Sequence, residues 1–321
     1  MLDSSMLRNL AVGLVGVLVV VACGSEPSSE FGTSSGASGS NSSSNGGASS
    51  SGSLGDTDAG PPPPAVECKK MDIVFVVDNS QSMKEEQENL AKNFPDFIKV
   101  INDYKTEAGD SLDYRVAITT TDDGADKGKF RKGRGQGADQ TCNPGPNNNP
   151  WLERSDAEIS SFFSCRAQVG TLGSNTERPL EAAKLSVTAR IDDGSNMLGG
   201  TTSFIREDAL LAFVILTDED EGSANGGEVT PAPLKEAALY ASDFDKVKMF
   251  RGRWAAAVIA GDRGCESPLG KAADAVRLKQ FITTTGKNGV FHSICDGDLT
   301  QGLQAALKTF TDACKGFPGV K

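Results

Sequence analysis

The chain has 321 residues and a formal net charge of −11, from 43 acidic and 32 basic side chains. This acidic balance argues against nucleic acid or anionic lipid as a partner, because both bind basic surfaces, and it mildly favours cations or basic partners. The part of the chain with a globular composition is 67–321. Roughly 255 residues are enough for one large core and rather few for two domains.

The N-terminus has the parts of a bacterial signal peptide. Arg8 precedes an apolar run, Leu10–Ala22, which is shorter than the ~20 residues that a membrane-spanning helix needs. The sequence Val-Val-Ala-Cys ending at Cys23 resembles the lipobox of bacterial lipoproteins. That resemblance implies a signal peptide at 1–22 and acylation of Cys23. The alternative is an ordinary secretory signal with an incidental cysteine, but the polar tract after Cys23 favours the lipoprotein.

Residues 23–66 then form a linker rich in Ser, Gly and Asn that ends in four prolines. Such a segment buries almost no apolar surface and is predicted to be disordered, with a mean reach of roughly 35 Å. A lipid anchor and a linker place the domain in the cell envelope, tethered to a membrane and facing the periplasm or the cell surface. In a Gram-negative cell the expected membrane is the outer one.

Six cysteines remain after Cys23, an even number of the kind that disulfides in an exported chain require. Spacing alone leaves fifteen pairings open. Zinc is disfavoured because the chain has no C-x-x-C pair and its only histidine, His292, lies in a strand-like run. The positions of the cysteines along the predicted fold suggest three pairs: Cys68–Cys314, Cys142–Cys165 and Cys265–Cys295.

From Met71 the chain alternates strand-like and helix-like segments. Short apolar runs predict strands at 71–77, 114–120, 210–217, 254–260 and 289–294. Helical spacing predicts helices at 84–102, 177–190, 233–245, 270–284 and 299–314, with Pro95 expected to kink or divide the first. The alternation favours a single α/β domain, doubly wound, with a mostly parallel sheet and helices on both faces. Two further stretches, 122–150 and 219–231, are predicted to be surface insertions.

Three loops at predicted strand ends or helix starts carry oxygen ligands. They contain Asp78, Ser80 and Ser82 after the first strand, Ser174 and Thr176 before the 177–190 helix, and Asp218 after the 210–217 strand. Ligands bind at the carboxyl ends of the strands in open α/β sheets, and an all-oxygen set suits Mg²⁺ or Mn²⁺.

Each loop also has a purely structural interpretation. Ser82-x-x-Glu85 and Ser174-x-x-Glu177 match the helix capping box. The run Asp218–Glu221 has the composition of a solvated acidic loop.

The run DIVFVVDNSQSM, 72–83, resembles the first strand and metal loop of von Willebrand factor A-type (VWA) domains, and VILTD, 214–218, resembles their central strand. The resemblance covers about 70–316. It implies a metal-ion-dependent adhesion site holding Mg²⁺, or Mn²⁺ or Ca²⁺. The metal would be bound directly by Ser80 and Ser82, and directly or through water by Asp78 and Asp218. One coordination position would be left for a carboxylate of a protein partner.

The chain departs from the family pattern in three places. The second-loop ligand, usually threonine, is expected to be Ser174, with Thr176 as the fallback. Glu219 stands where the family often has glycine, where it could crowd the site or add a ligand. The stretch 122–170 is longer than expected and is predicted to shape the binding face. The resemblance also supports the Cys68–Cys314 pair, because the two ends of that fold lie close together.

The resulting hypothesis is a membrane-tethered, metal-dependent binding module that is not an enzyme. One alternative is a structural envelope lipoprotein that keeps the fold without metal. A hydrolase is disfavoured because there is no G-x-S-x-G motif and His292 lies in a strand-like run. A phosphate-binding loop is also missing, and the glycine-rich stretch 133–137 is expected to be a flexible loop.

Overall fold

The structure, a computed structural model, describes residues 64–122, 127–138, 141–146, 149–174, 176–224, 227–228 and 235–319. The predicted signal peptide, Cys23 and the linker up to residue 63 lie outside the described residues. Within the described part of the chain, no helix is long and apolar enough to cross a membrane.

A six-stranded sheet forms the centre of the domain. Its strands are β1 (Lys70–Val77), β2 (Asp113–Thr120), β3 (Leu152–Glu153), β4 (Ala209–Leu216), β5 (Trp254–Ala260) and β6 (Gly289–Ser293). Their spatial order is β6-β5-β4-β1-β2-β3, and all pairs are parallel except β2 with β3. This is the doubly wound order, so the predicted α/β fold class is confirmed.

Helices cover both faces of the sheet. They are α1 (Lys84–Asp103), α2 (Ile159–Ala167), α3 (Pro179–Val187), α4 (Ala189–Asp192), α5 (Ala237–Lys248), α6 (Val276–Thr285) and α7 (Thr300–Lys315). One layer contains α1, α2 and α7, and the other contains α3, α5 and α6. The residues of β4 and β5 are buried throughout, which explains why these strands read as unbroken apolar runs.

Helix α1 is continuous through Pro95, so the expected division of this helix is wrong. Proline cannot donate to the carbonyl four residues earlier, which here is Ala91 O. Ser164 Oγ, from α2, donates to that carbonyl at 2.9 Å instead. A neighbouring helix therefore satisfies the acceptor that Pro95 leaves without its usual partner.

The three disulfides join the pairs that the sequence suggested: Cys68–Cys314, Cys142–Cys165 and Cys265–Cys295. The first closes the domain, since Cys68 N donates to Cys314 O at 3.0 Å and the two Cα atoms are 4.9 Å apart. The third holds a hairpin, Cys265–Ser267 with Gly270–Ala272, against the short turn 294–296.

Several predicted boundaries differ from the observed ones. The 270–284 prediction includes the hairpin strand Gly270–Ala272, and α6 begins only at Val276. The 177–190 helix is split into α3 and α4, and the 233–245 helix is shifted towards the C-terminus as α5. Other short strand pairs are Thr176–Glu177 with Ser223–Ala224, Ser223–Ala224 with Gly227–Glu228, and Met197–Leu198 with Thr202–Ser203.

The predicted insertion 122–150 is not confined to the surface. Phe130 is buried, its ring lies edge-on to Phe204 at 4.9 Å, and its backbone N–H donates to Asn196 Oδ1. This part of the insertion belongs to the core on the α3 side of the sheet.

Candidate metal site

Asp78 and Asp218 lie close together at the carboxyl ends of two neighbouring strands. Val77, the last residue of β1, is opposite Leu216, the last residue of β4, and Asp78 N donates to Leu216 O at 3.0 Å. The chain leaves β1 for β2 on one side and returns to β4 on the other. The two aspartates therefore lie at the topological switch point, where doubly wound folds form their binding crevice.

The Asp78 carboxylate is completely buried and is held by two hydrogen bonds. Oδ1 accepts from Ser80 N at 2.7 Å, and Oδ2 accepts from Thr217 Oγ1 at 2.6 Å. Burial raises the pKa of Asp78 to about 7, and the nearby charge of Asp218 adds to this rise. The two hydrogen bonds therefore offset only part of the cost of burying a negative charge at this position.

Asp218 is only 5 % exposed, and burial raises its pKa above the ordinary value. The Ser82 side chain lies near this carboxylate and acts against the rise of its pKa. The hydroxyl oxygens of Ser80 and Ser82 are 3.1 Å apart, so both serines of the first loop lie beside the aspartate pair. Among the described residues, Asp218 Oδ1 is buried without a hydrogen-bond partner.

These groups fit a small divalent cation. Carboxylate and hydroxyl oxygens are the hard ligands that Mg²⁺, Mn²⁺ and Ca²⁺ prefer, and Asp218 Oδ1 is an acceptor without a donor. The described part of the chain contains no cluster of three or more His, Cys, Asp or Glu arranged to hold a metal. A site here would consequently depend on two carboxylates supplemented by hydroxyls and water.

The second predicted loop lies beside the first. Gly173 N donates to Asn79 O at 3.0 Å, and a Cβ at Gly173 would lie 2.3 Å from the Asn79 side chain. Ser174 therefore follows a residue that contacts the first loop, and its Oγ accepts from Thr176 N at 3.0 Å. Thr176 pairs with Ala224 in a short antiparallel strand. The assignment of Ser174 as the second-loop ligand, with Thr176 as the fallback, stays a prediction.

The capping-box interpretation of both serines is wrong. Ser82 is not the cap residue of α1, because the residue that precedes this helix is Met83. Neither Met83 nor Ser80, which precedes the short turn 81–83, makes a side-chain cap. Helix α3 begins at Pro179 after Arg178, well beyond Ser174. The hydroxyls in these loops are not used to start helices.

The interpretation of Asp218–Glu221 as a solvated loop is also wrong, because all four residues are buried. Asp220 accepts the backbone N–H groups of Arg277 and Leu278, at the start of α6. Glu221 Oε2 accepts from Leu180 N, at the start of α3. Two carboxylates of this run therefore cap helices from a distance.

Gln87 was not identified from the sequence as a residue of the site. Its side chain connects the first loop, at Asp78, to Gly170, which shortly precedes the second loop. Its Nε2 donates to Asp78 O at 2.9 Å and to Gly170 O at 2.8 Å, and its Oε1 accepts from Gly170 N at 3.1 Å. Gln87 is buried on α1, three residues before the core residue Leu90. A polar residue on the apolar stripe of a helix was the signal that could have revealed it.

Glu177 was also missed as a neighbour of the site. Its side chain is fully buried, and Thr121 Oγ1 donates to Oε2. Burial raises the pKa of Glu177 to about 9, and the charge of Asp78 contributes. Burial likewise raises the pKa of Glu86 to about 8, with a contribution from Asp218. The aspartate pair therefore lies within a larger group of buried carboxyls.

Comparisons with known proteins give structural likeness only. No family model and no curated protein matches the chain. Similar solved structures include proximal thread matrix protein 1 from the mussel byssus, at 14 % identity and TM-score 0.38, covering 78 % of this chain and 49 % of that one. The pilus adhesin SpaC from Lactobacillus rhamnosus GG is 11 % identical with TM-score 0.39, covering 79 % and 31 %.

The manganese-loaded TRAP protein of Plasmodium vivax is 13 % identical with TM-score 0.33, covering 75 % of each chain. This chain therefore spans about half of the mussel protein and about a third of the adhesin. The strand order and the two adjacent acidic loops agree with what the resemblance to VWA domains implies for the fold.

Proposed function

We propose that this domain is a divalent-metal-dependent binding module that captures a protein partner. The observation that carries the proposal is the buried pair Asp78 and Asp218, with Asp218 Oδ1 lacking a donor among the described residues. Two like charges in a buried crevice favour a cation between them. Mg²⁺ is the first candidate, with Mn²⁺ and Ca²⁺ as the others.

The side chains around the pair have separate roles in this proposal. Thr217 holds the Asp78 carboxylate by its 2.6 Å hydrogen bond, and Gln87 fixes the backbone of the same loop. Ser80 and Ser82 supply neutral oxygens, which limit the negative charge of the site. When bound, the cation would supply one open coordination position, which a carboxylate of the partner would fill.

The proposal includes tethering to a membrane through a lipid on Cys23. The lipobox-like sequence and the polar linker support this part. The domain would then act in the cell envelope, on the outer membrane of a Gram-negative cell, and would face the periplasm or the exterior. The acidic overall charge supports a protein partner rather than nucleic acid.

The geometry disfavours a serine hydrolase. His292 lies on β6, three strands from β1 in the sheet, which corresponds to about 14 Å. Its Nε2 faces Asp296 at 3.0 Å rather than a serine of the first loop. A structural lipoprotein without metal is the remaining alternative, and a metal titration separates it from the proposal.

Isothermal titration of the purified protein with Mg²⁺, Mn²⁺ and Ca²⁺ tests the metal site. We expect one site per chain in the wild type and none in Asp218→Asn, since that variant removes half of the charge pair. A wild type that binds none of the three ions would support the structural alternative. Capture of a partner from the native envelope, lost on addition of EDTA, would then test the binding function.

A further inference from the structure

A cavity of about 260 Å³ opens beside the candidate metal site. Asn79 and Gly173 belong to both the site and the cavity wall, and the rest of the wall includes Asp122, Arg131, Gln136 and Leu172. With about 30 Å³ per water molecule, this volume has room for one side chain together with some water. A partner bound at the metal would place its adjacent residue here.

The outer wall of this cavity is held by backbone hydrogen bonds between two segments, 135–136 and 168–171. Gly135 N donates to Gln168 O at 2.8 Å, and Thr171 N donates to Gln136 O at 3.2 Å. A Cβ on Gly135 would lie 1.4 Å from Val169 O, so only glycine allows this close approach of the two segments. Part of the glycine-rich stretch 133–137 therefore packs against 168–171 through Gly135 and Gln136.

Arg166 and a disulfide hold this wall from behind. The guanidinium of Arg166 is 1 % exposed and donates to the carbonyl oxygens of Pro144, Asn149 and Arg131. The neighbouring Cys165 is bonded to Cys142. The part of the chain that the family resemblance did not explain therefore forms a preorganised cavity, as small-ligand sites usually are.

The cavity wall favours a neutral, hydrogen-bonding group. Asn79 is 7 % exposed, and its Oδ1 is buried without a hydrogen-bond partner among the described residues, so it would accept from a donor that reaches it through the cavity wall. Asp122 and Arg131 carry opposite charges, so a charged occupant would be attracted by one and repelled by the other. Leu172, with 71 % of its surface exposed, offers an apolar contact at the rim.

We propose that this cavity receives a primary carboxamide on a short aliphatic stem, such as a glutamine side chain of the partner. The amide NH₂ donates to Asn79 Oδ1, the amide interacts with Gln136, and the stem packs on Leu172. That the occupant comes from the partner whose carboxylate binds the metal rests on the proposed function. The affinity of the cavity for a carboxamide is independent of the proposed function.

Propionamide, which reproduces the glutamine side chain, is the first probe. Its titration into the ¹⁵N-labelled protein in EDTA should shift the Asn79 and Gln136 side-chain amide signals, with millimolar affinity. Propionate and propylammonium should bind at least about fivefold more weakly. Gln136→Ala should weaken propionamide binding about fivefold, the effect of one hydrogen bond, while Gln304→Ala on α7 should not. Tighter binding of either charged probe, or no shift at Asn79, would overturn the proposal.

A second measurement separates the cavity from the metal site. With Mg²⁺ present, acetyl-Asp-Gln-N-methylamide should bind about fivefold more tightly than acetyl-Asp-Ala-N-methylamide, because only the first peptide carries a primary carboxamide, and Gln136→Ala should remove the difference. Equal affinities in the wild type would overturn the cavity proposal while leaving metal binding intact. If propionamide binds in EDTA but Mg²⁺ promotes no Asp-dependent binding, the metal proposal fails and the assignment of the cavity stands.

Discussion

Thr217 Oγ1 donates a 2.6 Å hydrogen bond to Asp78 Oδ2, which joins the end of β4 to the end of β1. Glu219 N donates to the same Thr217 oxygen at 3.1 Å. Thr217 is fully buried, so its hydroxyl has no access to water. This residue fixes the orientation of the carboxylate that the proposed metal would bind.

Thr217→Val should therefore lower Mg²⁺ affinity about tenfold or more, as loss of an orienting group beside a metal ligand does. Valine keeps the shape of threonine but cannot donate to Asp78. Isothermal titration measures the effect, and Thr217→Ser is the matched control that should retain most of the affinity. Equal Mg²⁺ affinity of wild type and Thr217→Val would show that the hydroxyl does not position Asp78.

Asp78→Asn should abolish stabilisation by Mg²⁺ and raise the melting temperature measured in EDTA. Without a cation, the buried carboxylates of Asp78 and Asp218 repel each other, and the amide removes this repulsion. Thermal unfolding of both proteins, with EDTA and with excess Mg²⁺, checks both effects. An Asp78→Asn variant that still gains stability from Mg²⁺ would place the metal elsewhere.

The Ser82→Ala variant, measured in the same two buffers, tests whether Ser82 caps a helix or contributes to metal binding. A helix cap would contribute ~1 kcal/mol whether or not metal is present, but the structure shows no such cap at the start of α1. We expect the variant to lose stability mainly in Mg²⁺. Equal losses in both buffers would contradict a role in metal binding.

The metal-free protein should lose stability as the pH rises from 5 to 8. The folded-state pKa values of Asp78, Glu86 and Glu177, about 7, 8 and 9, all exceed the ordinary values near 4. The folded state therefore binds more protons than the unfolded state, and the stabilisation present at low pH is lost as the pH rises through these values. Lys248, whose pKa burial lowers to about 8, acts in the opposite direction, mainly above this window.

Melting temperatures in EDTA at pH 5, 6, 7 and 8 measure this dependence, and a fall of several degrees is expected. Mg²⁺ competes with protons for the site, so its stabilising effect should be larger at pH 8 than at pH 5. A flat or rising profile in EDTA would contradict the assignment of these carboxyls as buried and mutually repelling.

The core of the site could be predicted because it depends on local patterns. Continuous apolar runs mark β1 and β4, and the carboxyl-end rule brings Asp78 and Asp218 together once those strands are neighbours. The elements that were missed, α2 and β3, are short and follow directly after the Gly- and Asn-rich stretch 122–150. Their stability comes from distant contacts, such as Phe163 of α2 stacked on Phe94 of α1.

Residues that act through distant partners could not be identified from the sequence. Gln87 contacts Gly170, 83 residues away, and Glu177 contacts Thr121, 56 residues away. The acidic run after Asp218 has the composition of a solvated loop, yet Asp220 and Glu221 are buried because helix starts supply their N–H donors. Charge alone does not reveal such compensation.

The anchor prediction concerns Cys23, which lies outside the described residues. Cys23→Ser should release the protein from membranes into the soluble fraction, because no thiol would remain to be acylated at that position. Fractionation of cells and labelling with radioactive palmitate measure the effect, with wild type as the control. A variant that still sediments with membranes and carries the label would show that the anchor lies elsewhere.

The Cys68–Cys314 disulfide should contribute more to stability than the other two. It closes a loop with a sequence separation of 246, against 23 for Cys142–Cys165 and 30 for Cys265–Cys295. In the chain-entropy description these loops correspond to roughly 5 kcal/mol for the long one and about 3–4 kcal/mol for the short ones, as upper values. Cys68 and Cys314 are both almost fully buried, so the disulfide between them also resists reduction in the folded state.

Urea unfolding of the variants Cys68→Ala/Cys314→Ala and Cys265→Ala/Cys295→Ala tests this order. Alanine at Cys68 and Cys314 leaves the backbone hydrogen bond Cys68 N to Cys314 O in place, so the ends of the domain should still meet. We expect the first variant to show the larger decrease in the free energy of unfolding, and peptide mapping without reductant to find the linked pair in the wild type. If the first variant proved the more stable of the two, the crosslink between the ends of the domain would not be its main covalent stabiliser.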